Sequence, residues 1–320
     1  MPLLSFPDLS IIRHKGQWYA FATNSYHSTI RIQVATSRDY TNWAVLTNED
    51  GTQYDAMPQL TPWIDPGRFE TWAPDVVRLD EGSFVVYYSA TKAGDGRHCI
   101  SAAKAESVEG PYTPMDDILV CPDDSGGALD ASGFMDWEVK GDWRVLEEED
   151  GEDCGNSYAA SMWSEGGFGG KRYIVYKIQN GQQEDKGIRA PLTLHQVCSK
   201  DGVTLVGGPV TSMENEGAAD QHFIEASSLF KTAKGKYVLF FSAGNTVMPS
   251  YTLSYAVSDS LLGPYERKAS GGTDVSFDGE RMLLHGMGQP IGMLFDHLRL
   301  MHAAKTRMND ESGEIELVSL

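Results

Sequence analysis

The chain has 320 residues and sets 26 lysines and arginines against 45 aspartates and glutamates, a formal charge of −19. That balance excludes nucleic acid and anionic membrane surfaces as partners, because neither supplies the countercharge. No apolar run has the length of a membrane-spanning helix. Nothing at the N-terminus reads as a leader, so the location stays open between the cytoplasm and a secreted chain whose leader has been removed.

Taken in order, the chain is a series of short strands. Phe6-Pro7-Asp8-Leu9-Ser10-Ile11-Ile12 is an apolar strand opened by a carboxylate; a turn at His14-Lys15-Gly16 leads to a second apolar strand. The same pattern returns at Ala73-Pro74-Asp75-Val76-Val77, followed by the apolar run 84–88. It returns at Leu129-Asp130-Ala131-Ser132, followed after an insertion by the run 173–176, and at Ile224-Glu225-Ala226-Ser227, followed by 237–241. A degraded copy begins at His285 and ends on Leu300-Met301-His302.

Third strands ending on small residues follow at 32–37, 100–105 and 253–258, and two of them run into matching turns, Gly110-Pro111-Tyr112 and Gly263-Pro264-Tyr265. An internal repeat of about four strands per unit predicts radially arranged sheets. The expected fold is an all-β, five-bladed β-propeller, one domain spanning residues 1–320. Insertions fall at 65–70, 136–170 and 213–221. The acidic run Glu147-Glu148-Glu149-Asp150 reads as a solvated loop. Cys99, Cys121, Cys154 and Cys198 match no zinc spacing and read as structural thiols or one disulfide.

With these residues in view, the chain resembles glycoside hydrolase family 43, from Phe6 to about Lys305. Pro7-Asp8-Leu9-Ser10 is similar to the family's opening motif, Trp72-Ala73-Pro74-Asp75 to its second-blade motif, Leu129-Asp130-Ala131-Ser132 to its third and Ile224-Glu225-Ala226-Ser227 to its fourth. The opening departs from the usual Asp-Pro-Asp, and the chain stops soon after the fifth unit, which leans the resemblance toward arabinan-acting branches.

The resemblance implies an inverting glycosidase acting on α-L-arabinofuranosyl or β-D-xylosyl linkages. In it Asp8 is the general base, Glu225 the general acid and Asp130 the neighbour that raises the acid's pKa and orients it. Inversion calls for a carboxylate that activates water on one side of the sugar and a carboxylic acid on the other. Asp75 is read either as a contact to sugar hydroxyls or as a structural acid after Pro74. Trp72 is read as a stacking face for a sugar or as a core residue.

His285, where other units carry acids, is placed in the channel as a substrate contact. Its alternative is a ligand of a structural calcium, with no cofactor required for the reaction. Gln221-His222 reaches the pocket rim or caps its loop. The expected partner is a neutral pentose-containing polysaccharide, and the expected state is a monomer. A fructan-cleaving propeller is disfavoured because Phe6-Pro7-Asp8-Leu9 does not match that group's opening. A non-catalytic carbohydrate-binding propeller is the alternative from another class.

Overall fold

The second strand of each repeat has two walls to serve, which is why its apolar run is unbroken. Phe84, Val86 and Tyr88 pack into one core cluster with Tyr19, Phe21 and Val34. Val85 and Tyr87, out of phase with them, join Ile100, Ala128, Ile174 and Tyr176 in the next. Val175, between Ile174 and Tyr176, belongs to a third cluster with Leu194, Ile224 and Leu239. The second and third sheets are thus each glued to both neighbours.

The computed structural model of the chain describes residues 6–24, 29–68, 70–139, 157–159, 168–179, 190–244, 251–268, 274–278, 281–286, 300–308, 311–312 and 315–319. The first sheet is β1 (Ser10–His14), β2 (Gln17–Ala22), β3 (Gln33–Ser37) and β4 (Ala44–Val45). The second is β5 (Thr71–Arg78), β6 (Phe84–Thr91), β7 (His98–Ala105) and β8 (Thr113–Pro114). The third comprises β9 (Gly127–Val139), β10 (Ser157–Ala159), β11 (Phe168–Gln179), β12 (Leu192–Val197) and β13 (Leu205–Met213). The fourth is β14 (Ile224–Lys231), β15 (Tyr237–Ala243), β16 (Thr252–Ser258) and β17 (Glu266–Arg267). The fifth is β18 (Asp274–Asp278), β19 (Arg281–Gly286), β20 (Leu300–Met308) and β21 (Ile315–Ser319).

The pairing within every sheet is antiparallel. First strands stand side by side, β1 against β5, β5 against β9, β9 against β14 and β14 against β18. This is the five-bladed β-propeller that the repeat predicts. One boundary differs: the fifth sheet opens at Asp274, and His285 lies on its second strand, paired with Asp274 and Met301. The alternating run Asp274-Val275-Ser276-Phe277-Asp278 supplies the first strand instead. The copy thought to begin at His285 therefore begins one strand earlier.

Sheets two and three meet at a single parallel bridge, His98 to Gly127. Gly127 has φ +111°, and a Cβ there would stand 1.9 Å from the His98 carbonyl oxygen. Only glycine allows that approach. Beside it Cys99 forms a disulfide with Cys121, while Cys198 is free and buried. Cys154 lies outside the described residues. The two Gly-Pro-Tyr turns are alike in detail: both Gly-Pro bonds are cis. The hydroxyl of Tyr112 donates to Val108 O at 2.8 Å, and that of Tyr265 donates to Leu261 O at 2.9 Å.

Candidate active site

Every first strand of sheets one to four opens with the same backbone kink. Asp8 (φ 50°), Ala73 (45°), Asp130 (58°) and Ala226 (51°) all take the left-handed conformation, which costs a residue with a Cβ roughly 1–2 kcal/mol. At the last three the register slips by one residue. Trp72 faces Ser89 but Asp75 faces Tyr87; Leu129 faces Lys177 but Ser132 faces Val175; Glu225 faces Ser242 but Ser228 faces Phe240. This is a β-bulge, which re-aims the side chains around it. The four acids are therefore not equivalent, as the repeat had them. Asp8 and Asp130 occupy the kink, Glu225 precedes it by one residue and Asp75 follows it by two.

The kinked amides are tied to the preceding sheet. Ala73 N donates to Thr23 Oγ1 at 2.8 Å, and that hydroxyl donates to Asp8 Oδ2 at 2.8 Å. Asp130 N donates to Ser89 Oγ at 3.0 Å. Ala226 N donates to Asp130 Oδ2 at 3.2 Å. Around these kinks runs a central channel of about 220 Å³, lined by Asp8, Asp75 and Asp130 together with small residues such as Ala73, Ser132 and Ala226.

Asp8 and Asp130 line this channel, and Glu225 stands close enough to Asp130 for its charge to act on it. Burial, then the charges of Glu225 and Asp8, push the Asp130 carboxyl well above the usual carboxylate range; Lys177 and the Ala226 amide oppose the rise. Glu225 is gripped at both oxygens: Lys177 Nζ donates to Oε2 at 3.2 Å and Tyr251 Oη donates to Oε1 at 3.0 Å. Lys177 is buried, 3% exposed, and its ammonium lies 5.3 Å from the centre of the Phe223 ring.

Neither Lys177 nor Tyr251 stood out in the sequence, where each is one more residue of an apolar strand. The signal was positional. Thr23, Ser89 and Ser242 face the residue before the kink in their own sheets, and Lys177 is the exception.

Asp75 lies on the channel wall, but its carboxylate Oδ2 accepts the Gly133 amide at 2.7 Å. Burial pushes it up to about 6, against the Gly133 amide and the Ser132 hydroxyl, which lower it. A Cβ on Gly133 would stand 2.4 Å from Val77 Cγ1, so glycine lets the two strands close up. Trp72 is half-buried, its ring edge-on to His98 with centroids 4.4 Å apart. His98 in turn pairs Nδ1 with Gln179 Oε1 at 2.8 Å.

Gln221 and His222 close the single turn Gly217–Asp220, with His222 N donating to Gly217 O at 2.8 Å. The side chain of His285 lies outside the described residues. Among the described residues no group of three His, Cys, Asp or Glu gathers that could hold a metal, and no helix is long and apolar enough to cross a membrane.

Fold and site together define a five-bladed propeller whose central channel is lined by Asp8, Asp75 and Asp130, with Glu225 coupled to Asp130. The chain belongs to the Glycosyl hydrolases family 43, whose profile matches residues 3–167. It is 27% identical over 164 residues, 42% of its length, to an extracellular endo-α-(1→5)-L-arabinanase of Thermotoga petrophila, and covers 33% of that protein. It is 28% identical over 116 residues, 34% of its length, to extracellular endo-α-(1→5)-L-arabinanase 2 of Bacillus subtilis, and covers 23% of it. The chain thus spans a third or less of these two relatives. The crystal structure of a thermostable family-43 glycoside hydrolase superposes with a TM-score of 0.69 at 19% identity, covering 100% of this chain and 94% of that one.

Proposed function

We propose that this propeller is an inverting glycosidase acting on α-L-arabinofuranosyl linkages of arabinan, with β-D-xylosyl linkages of arabinoxylan as the second substrate class. The observation that carries the reading is that Asp130 shares its field with Asp8 and Glu225, three carboxyls from three different sheets, beside the channel that Asp8 and Asp130 line. Both named relatives are arabinanases by name, which supports arabinan as the first substrate to test.

In this reading Asp8 accepts a proton from the attacking water while Glu225 gives one to the leaving oxygen, from the opposite side of the anomeric carbon. Thr23 fixes Asp8 from behind through its hydroxyl. Burial and the neighbouring charges of Glu225 and Asp8 disfavour ionisation of Asp130, which holds its proton well above the usual carboxylate range. Asp75 serves the wall, and Trp72, one residue before the second kink, is read as a stacking face for the sugar. The reaction is complete with carboxyls and water, and dialysis against EDTA is expected to leave turnover unchanged. Loss of turnover that calcium restores would assign the cation a role.

The test is hydrolysis of an aryl α-L-arabinofuranoside, an aryl β-D-xyloside and linear arabinan by the wild type and by Glu225→Gln, with the anomer first released followed by proton NMR. Turnover that vanishes in the variant, with inverted product, supports the reading. Silence on all three, with sugar binding unaffected by the substitution, would leave a binding propeller.

A further inference from the structure

Lys177 occupies a repeat position whose other occupants are hydroxyls. Thr23, Ser89 and Ser242 sit opposite the residue before the kink in their own sheets, and Thr23 and Ser89 each accept the kinked amide of the next sheet. In the third sheet Lys177 takes that place. The amide of Ala226 is accepted by Asp130 instead, and the lysine reaches past it to Glu225 Oε2 at 3.2 Å. Tyr251 holds the other oxygen at 3.0 Å. With one donor on each oxygen the plane of the carboxyl is fixed, and each oxygen keeps one lone-pair direction for other partners.

We propose that Lys177 is a positioning residue of the glycosidase: it locks the Glu225 carboxyl in its orientation toward the leaving oxygen. This rests on the glycosidase reading above. Lys177 touches Glu225 and does not enter the bond-breaking step. The charged and titratable groups around the pair are Asp130 and Asp8 on the channel side, Tyr251 beside the fourth sheet, and His98 from the second.

Two variants and two measurements test this. In Lys177→Met, kcat is expected to fall about 100-fold with little change in KM, the scale of a small misplacement of a catalytic group. Lys177→Arg should restore part of kcat. Independently of turnover, melting temperatures of Lys177→Met, Glu225→Gln and the double variant should be non-additive, the double variant losing less than the two losses together, because both single variants break the same contact.

An unchanged kcat in Lys177→Met, or additive melting losses, would overturn the proposal. If the wild type hydrolyses none of the three substrates, the glycosidase reading fails and the positioning role fails with it, whereas the melting cycle still reports whether the contact exists.

Discussion

Asp75 and Asp130 look interchangeable in the sequence, and the molecule uses them oppositely. Each opens a first strand, each lines the channel and each accepts a backbone amide of the following sheet, Gly133 N at 2.7 Å and Ala226 N at 3.2 Å. Asp130 sits on the kink and shares its field with Glu225, Asp8 and Lys177. Asp75 sits two residues further along the strand, past the bulge, and is perturbed by burial and hydrogen bonds alone. A displacement of two residues separates a group that talks to other charges from one that holds two sheets together.

The sharpest way to break this comparison is the paired substitution. Asp130→Asn removes a group coupled to both proposed catalytic carboxyls and is expected to lower kcat by about 10²–10⁴, the range for general acid–base participation. Asp75→Asn, measured on the same substrate, should stay within about tenfold of wild type, below that range. Equal losses would dissolve the distinction.

Stability should move the other way. Gly133→Ala forces a methyl against Val77 and is expected to cost about 1–3 kcal/mol in urea unfolding, as overpacking does. Asp75 has a second signature. Its carboxyl titrates near 3.8 when unfolded and about 6 in the fold. The folded state therefore binds the extra proton between those values, and stability falls as pH rises through them. Asp75→Asn should flatten that slope and gain up to about 3 kcal/mol at pH 7, read from urea curves at pH 4 and pH 7.

The smallest effects concern the kinks themselves. Glycine at Ala73 or Ala226 relieves a left-handed Cβ and is expected to change stability by no more than about 1 kcal/mol. Ala73→Gly should leave turnover alone. Ala226→Gly, next to Glu225, should reduce kcat by loosening the carboxyl that Lys177 and Tyr251 hold. A fall in kcat for both variants alike would place the second kink in the machinery as well.

Much of the architecture could be read from the chain, because strand alternation, turn residues and the repeated acid-then-apolar pattern all point the same way. The Gly-Pro-Tyr turns even match in their hydrogen bonds. The phase of the repeat could not be read. A bulge adds one residue without a compositional mark, so Asp8, Asp75, Asp130 and Glu225 line up as letters while their backbones do not. His285 was misplaced for a similar reason, the repeat being aligned on a polar residue when the strand order begins at Asp274. Lys177 was hidden by its company, a lysine at the end of Tyr173-Ile174-Val175-Tyr176. Cys99 and Cys121 gave no pairing by themselves, since only the folded strands bring their Cα atoms to 4.8 Å.

The bridge from His98 to Gly127 has a consequence for how the molecule opens. It makes the second and third sheets one continuous hydrogen-bonded surface, stapled beside the bridge by the Cys99–Cys121 link. Such a surface behaves as one cooperative unit in local unfolding. Its amides, from β5 through β12, should exchange with solvent deuterium together and late, while the first and fourth sheets, which among the described residues are not bridged to a neighbour in this way, release theirs on their own schedule. Asp130 and Lys177 both belong to the slow unit and Glu225 to its neighbour. The site would then sit on the border between a rigid half and a yielding one.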